Sequence, residues 1–148
     1  MSIKLAVLPI LAALSSYAQW GGEQTRSASI RGGGGDGKCT IEVEVDGAAE
    51  VEIRGSTARL RSRGGQRANW RRFECNQAMP ANPNDFRFKG IDGRGRQDLV
   101  RTPGNGGPAV IRIEDPKSGR EGYTFDIFWR GGTDNGYYDD RNGRRRRR

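Results

Sequence analysis

Apolar and polar residues alternate with a period of two along most of this chain. Cys39, Ile41, Val43 and Val45 fall on one side of an extended segment, with Thr40, Glu42 and Glu44 on the other. Val51 and Ile53 continue the pattern against Glu50, Glu52 and Arg54, and Ala58 and Leu60 face away from Arg59 and Arg61. Further strands are predicted at Trp70–Cys75, Asp85–Lys89, Gln97–Arg101, Ala109–Glu114 and Gly122–Arg130. The last is the clearest, because Tyr123, Phe125, Ile127 and Trp129 share one face. After the first eighteen residues, no window carries the 3.6-residue apolar period of a helix. About eight short strands, separated by Gly, Pro, Asn and Asp clusters, predict an all-β fold, a small antiparallel β-sandwich over residues 38–130.

One hairpin can be set in register. Gly55-Ser56 suits a two-residue type II′ turn, with glycine in the position that needs positive φ. Ile53 then lies opposite Ala58 and Val51 opposite Leu60, while Glu52 faces Arg59 and Glu50 faces Arg61. The preceding turn, Asp46-Gly47-Ala48, would instead set Glu44 against Glu50 and Glu42 against Glu52. Like charges directly opposite are unfavourable, so the first strand is expected in the other sheet.

The ends differ from the middle. Lys4, the apolar run Leu5 to Leu14 and the small residues of Ser16-Tyr17-Ala18 have the layout of a signal peptide cut after Ala18. That run is too short to cross a bilayer, which takes about 20 residues. Residues 19–37, with Gly32 to Gly35 in a row, predict a flexible lead-in, and residues 131–148 a disordered basic tail. An exported chain with two cysteines, Cys39 and Cys75, predicts one disulfide between them.

The chain carries 26 Lys+Arg against 18 Asp+Glu and has no histidine. The commonest general base and metal ligand is therefore missing, and no CxxC spacing suggests zinc. Carboxylates at strand ends, Glu114-Asp115 and Asp92, leave a hydrolase as a lesser alternative. Asp92, and Asp134-Asn135 with Asp139-Asp140, offer oxygen ligands but lack the alternating spacing of a calcium loop. No cofactor, metal site or catalytic residue is expected.

Binding chemistry has two candidate locations. If Phe73 and Cys75 point inward, Trp70 and Arg72 point outward, and Trp70, Arg71 and Arg72 form a candidate ligand-binding face. The favoured reading is structural, with Trp70 covering an open end of the sandwich or packing on Arg72 through a cation–π contact. The run Arg144, Arg145, Arg146, Arg147 and Arg148 attracts polyanions: anionic lipid head groups, lipopolysaccharide, acidic glycans or extracellular DNA. Arginine outnumbers lysine 22 to 4 along the chain, which GC-rich coding would also produce. The sequence thus predicts a secreted or periplasmic, non-catalytic interaction or structural module of the envelope or extracellular space. A polyanion binder is the alternative, and no partner is named by it.

Overall fold

Two long β-hairpins, each bent across both layers of a sandwich, build the fold. The structure is a computed structural model that describes residues 23–32, 35–63 and 67–133. The expected signal peptide, residues 1–18, and most of the expected tail, including Arg144 to Arg148, lie outside the described residues.

In the first hairpin, β3 (Gly37–Asp46) runs into β4 (Ala48–Arg54), and β5 (Thr57–Ser62) returns into β6 (Arg67–Cys75). The outer pair β3/β6 lies in one sheet and the inner pair β4/β5 in the other. The second hairpin repeats the plan: β8 (Arg87–Asp92) bends into β9 (Arg96–Arg101), and β10 (Ala109–Glu114) bends back into β11 (Glu121–Trp129). Here β8 pairs with β11 and β9 with β10. The hairpins join along β3/β11 in one sheet and β4/β10 in the other. Short strands complete the sheets: β1 (Glu23–Ser27), β2 (Ser29–Ile30), β7 (Asn82–Pro83) and β12 (Gly132–Thr133). Sheet I has the order β1-β5-β4-β10-β9 and sheet II the order β2-β6-β3-β11-β8, while β7 and β12 pair separately.

The expected register of the Gly55-Ser56 hairpin is the one found. Ile53 pairs with Ala58, Val51 with Leu60, Glu52 with Arg59 and Glu50 with Arg61. Gly55 has φ 59°, as the first position of a II′ turn requires. The first strand does sit in the other sheet, and Gly47, at φ 100°, makes the change of layer. Between the layers lie Ile41, Val43, Val51, Ile53, Leu60, Ile111, Ile113 and the β11 stripe Tyr123, Phe125, Ile127 and Trp129, all at or near complete burial.

Two expectations about the ends need correction. The lead-in is ordered from Glu23: β1 pairs antiparallel with β5, and β2 then pairs parallel with β6 in the other sheet. The chain crosses between layers at Ala28, whose N–H donates to the Ser56 carbonyl at 2.8 Å. This segment therefore seals one open side of the sandwich. The tail is likewise ordered through β12, where Gly132 faces Pro83 and Thr133 faces Asn82.

The opposite side, bounded by β8 and β9, has no covering strand among the described residues. Each of these edge strands carries a bulge. Ile91 is the extra residue of β8 and Val100 the extra residue of β9, at 50% and 48% exposure. Bulges on edges interrupt the ladder of free N–H and C=O groups and so discourage edge-to-edge pairing.

Candidate functional site

The Cys39–Cys75 disulfide is formed, between residues that face each other across β3 and β6. Both are buried, at 0% and 3% exposure. The bond therefore staples the base of the first hairpin within sheet II, rather than tying one sheet to the other.

The proposed face of Trp70, Arg71 and Arg72 is broken up by a third bulge. Arg72 stands opposite Glu42 and Trp70 opposite Val43, so Arg71 is the extra residue. One added residue shifts the side-chain alternation by one position. Trp70 consequently points inward with Phe73, their ring centroids 5.8 Å apart, and is 9% exposed. Its indole N–H donates to the Gln24 carbonyl of β1 at 3.2 Å. It is a core residue that also anchors the sealing strand, so the expectation of an outward ring is corrected. Arg71 and Arg72 do face solvent. Arg71 donates to Glu44, and that hydrogen bond, with the carboxylate's charge, raises the arginine's pKa further.

Sheet I carries a charge ladder on its outer face. One row crosses all five strands with alternating sign: Glu23, Arg61, Glu50, Arg112 and Asp98. Arg61 Nε lies 3.0 Å from Glu23 and Arg112 Nη2 lies 3.0 Å from Glu50. The expected partnerships of the hairpin are redistributed, although its register is right. Arg59 pairs with Glu23 at 3.2 Å, Arg61 also reaches diagonally to Glu52 at 3.5 Å, and Glu50 takes Arg112. These arginines serve the sheet.

Where both hairpins change layer, the corners meet at Asp115. Its N–H donates to the Gly47 carbonyl at 2.7 Å, linking the second hairpin to the first. Its side chain, fully shielded from solvent, accepts three hydrogen bonds from Arg94, two of them from Nε, and one from the Lys117 N–H. Arg94 Nη2 also reaches the carbonyls of Lys117, Ser118 and Gly119, so one guanidinium holds the β10–β11 bend in shape. Burial pushes the Asp115 carboxyl upward, but the Arg94 and Lys117 hydrogen bonds and the Arg94 charge outweigh it and hold the pKa below the usual value. The Tyr123 hydroxyl beside them is buried without a well-formed hydrogen bond, and burial, then the Asp115 charge, raises its pKa. Gly93, at φ 140°, leaves the room that the Tyr123 ring fills. This cluster is a fold hinge, in which Arg94 contacts both Asp115 and, at 3.5 Å, Glu121.

The outer face of sheet II differs from that of sheet I. Lys38, Phe128 and Arg87 stand in one row across β3, β11 and β8. The next row holds Glu74, Thr40, Asp126 and Lys89. Asp126, 8% exposed, accepts from Thr40 Oγ1 at 2.7 Å and lies 3.6 Å from Lys38 Nζ. Lys38 Nζ also stands 5.6 Å from the Phe128 ring centroid. Arg87 and Lys89 are exposed and have no acidic partner among the described residues. The sequence reading missed this group. The alternation that buries Trp129 also turns Phe128 outward, so the signal was present, but partners from three strands had to be brought together.

The remaining features carry less. A recess of about 570 Å³ lies between Gly55-Ser56, Gln77 to Pro80 and Gly131-Gly132, over Trp129, with no charged group in its wall. Asp92 uses Oδ1 to accept the Gly93 N–H, a turn role, and no group of three metal-ligating side chains occurs among the described residues. Asp134, Asn135, Asp139 and Asp140 lie outside them. No described helix is long and apolar enough to cross a membrane. Comparison with known proteins finds no matching family model, no similar curated protein and no similar solved structure.

Proposed function

We propose that this protein is an exported, non-catalytic β-sandwich interaction module. The observation that carries the reading is the contrast between its two outer faces. One row of sheet I alternates in sign across all five strands, whereas sheet II turns the half-buried Phe128 outward between Lys38 and Arg87 on an interior strand. The ring is half-buried under Lys38, and the part of it left open offers an apolar contact to a partner. The buried disulfide suits an oxidising compartment and agrees with the signal-like residues 1–18. Fractionation of the native host, with N-terminal analysis of the recovered chain, tests export. An extracytoplasmic product beginning at Gln19 is expected, and a cytoplasmic product retaining Met1 to Ala18 would overturn it.

A second reading, polyanion binding, is favoured by the unmatched cations. Arg87 and Lys89 are exposed without an acidic partner in the described structure, and the terminal run Arg144 to Arg148 adds five consecutive positive charges. Salt dependence tests it. Retention on an anionic resin should fall linearly in log affinity against log salt.

A further inference from the structure

We propose that the lower end of sheet II binds an anionic polysaccharide, with Lys38, Phe128, Arg87 and Lys89 as the contact group; this rests on the polyanion reading above. Lys38 and Arg87 flank Phe128 from the two neighbouring strands, so their backbones stand two strand spacings apart, about 10 Å. That span suits acidic groups on alternate sugars of a polyanionic chain. The phenyl ring between them offers an apolar contact for the carbon face of the intervening sugar. Asp126, buried and bonded to Thr40, offsets part of the Lys38 charge, so Arg87 and Lys89 are the fully uncommitted cations of the group.

Two observations favour a polysaccharide over a nucleic acid. Single-stranded nucleic acids are held by successive aromatic side chains, and among the described residues Phe128 is the one outward-facing ring on this sheet. The face is also a plain strand surface without walls to splay or enclose bases.

Binding to heparin, polygalacturonate, single-stranded DNA of matched length and phosphatidylglycerol vesicles decides the matter, measured by titration over a range of salt. Arg87→Ala with Lys89→Ala, on the intact chain, should weaken heparin binding about tenfold and lower the log–log salt slope by roughly 2, on the order of one per cation. Phe128→Leu should weaken heparin and polygalacturonate binding while leaving the salt slope unchanged, which a purely electrostatic contact would not produce. Both exposed cations lie outside the core, so an unchanged Tm shows that the double variant is folded. Parental heparin affinity in the double variant would overturn the site while leaving tail-driven polyanion binding standing. Tighter binding to DNA or vesicles than to both polysaccharides would overturn the occupant. No binding to any of the four probes by the parent would overturn the polyanion reading itself.

Discussion

Arg94 holds Asp115 in a two-pronged grip, Nε to Oδ1 at 2.9 Å and Nη2 to Oδ2 at 3.0 Å, at the point where both hairpins change layer. The carboxylate is shielded from water and the guanidinium partly open to it. Charge at Asp115 therefore supports the corner only while the side chain stays ionised.

The acid response should show this. The folded carboxyl titrates below its unfolded value, so its contribution is fully present above about pH 5 and is lost as the pH falls below about 4. Asp115→Asn should lower Tm at neutral pH, and the gap from the parent should close as both are taken to acid. A gap that stays constant with pH would show that shape, not charge, is what Asp115 supplies.

Tyr123→Phe should leave stability within about 0.5 kcal/mol of the parent, or raise it, because the hydroxyl is buried without a well-formed hydrogen bond. The ring, completely buried and seated over Gly93, is retained by phenylalanine. Chemical denaturation decides. A loss above about 2 kcal/mol would reveal a strong bond from that hydroxyl to Asp115.

Trp70 serves two purposes that substitution separates. Trp70→Phe keeps an aromatic ring beside Phe73 but removes the donor to Gln24, and should cost about 1 kcal/mol plus any loss from the smaller ring. Trp70→Ala should cost about 3–5 kcal/mol through the cavity it leaves. Proteolysis should then find new cleavage within residues 23–30, since the sealing strand loses its anchor. An unchanged digest would mean that β1 holds without Trp70.

The fate of Trp70 also shows where the sequence stops being legible. Alternation located the strands because each buries one face, and it fixed the β4/β5 register because apolar and charged pairings agreed on one alignment. It could not foresee Arg71 as an extra residue, since a bulge leaves both flanking runs looking regular and reverses their relation. Nor could it foresee β1. The segment Glu23–Ser27 buries almost nothing and joins the sheet through its backbone, so no apolar pattern announces it. Glu50 found Arg112 rather than Arg61 because β10 lies on its other side, a neighbour set by topology rather than by the local turn. Phe128 became a candidate only when β3 and β8 were seen to place cations on both sides of it.

Reducing the Cys39–Cys75 bond should lower Tm by at least about 10 °C. Closing a loop with a sequence separation of 36 is worth about 3–4 kcal/mol, and each kcal/mol moves Tm by about 4–8 °C in a domain near 100 residues. Because the bond joins neighbouring strands of one sheet, the reduced protein should keep its β-type circular dichroism below the transition. A reduced chain unfolded at 25 °C would show that the fold depends on the staple outright.

The position of that staple also governs how the chain responds to mechanical load. The whole first hairpin lies inside the covalent loop, so tension applied through the two ends passes from Cys39 to Cys75 across the sulfur bridge and bypasses everything between. A fully extended segment of this separation would contribute about 120–130 Å of contour length, and in the oxidised protein that length stays withheld. The second hairpin has no such shunt and would yield all of its length. Held by both ends, the domain would thus be half extensible and half not.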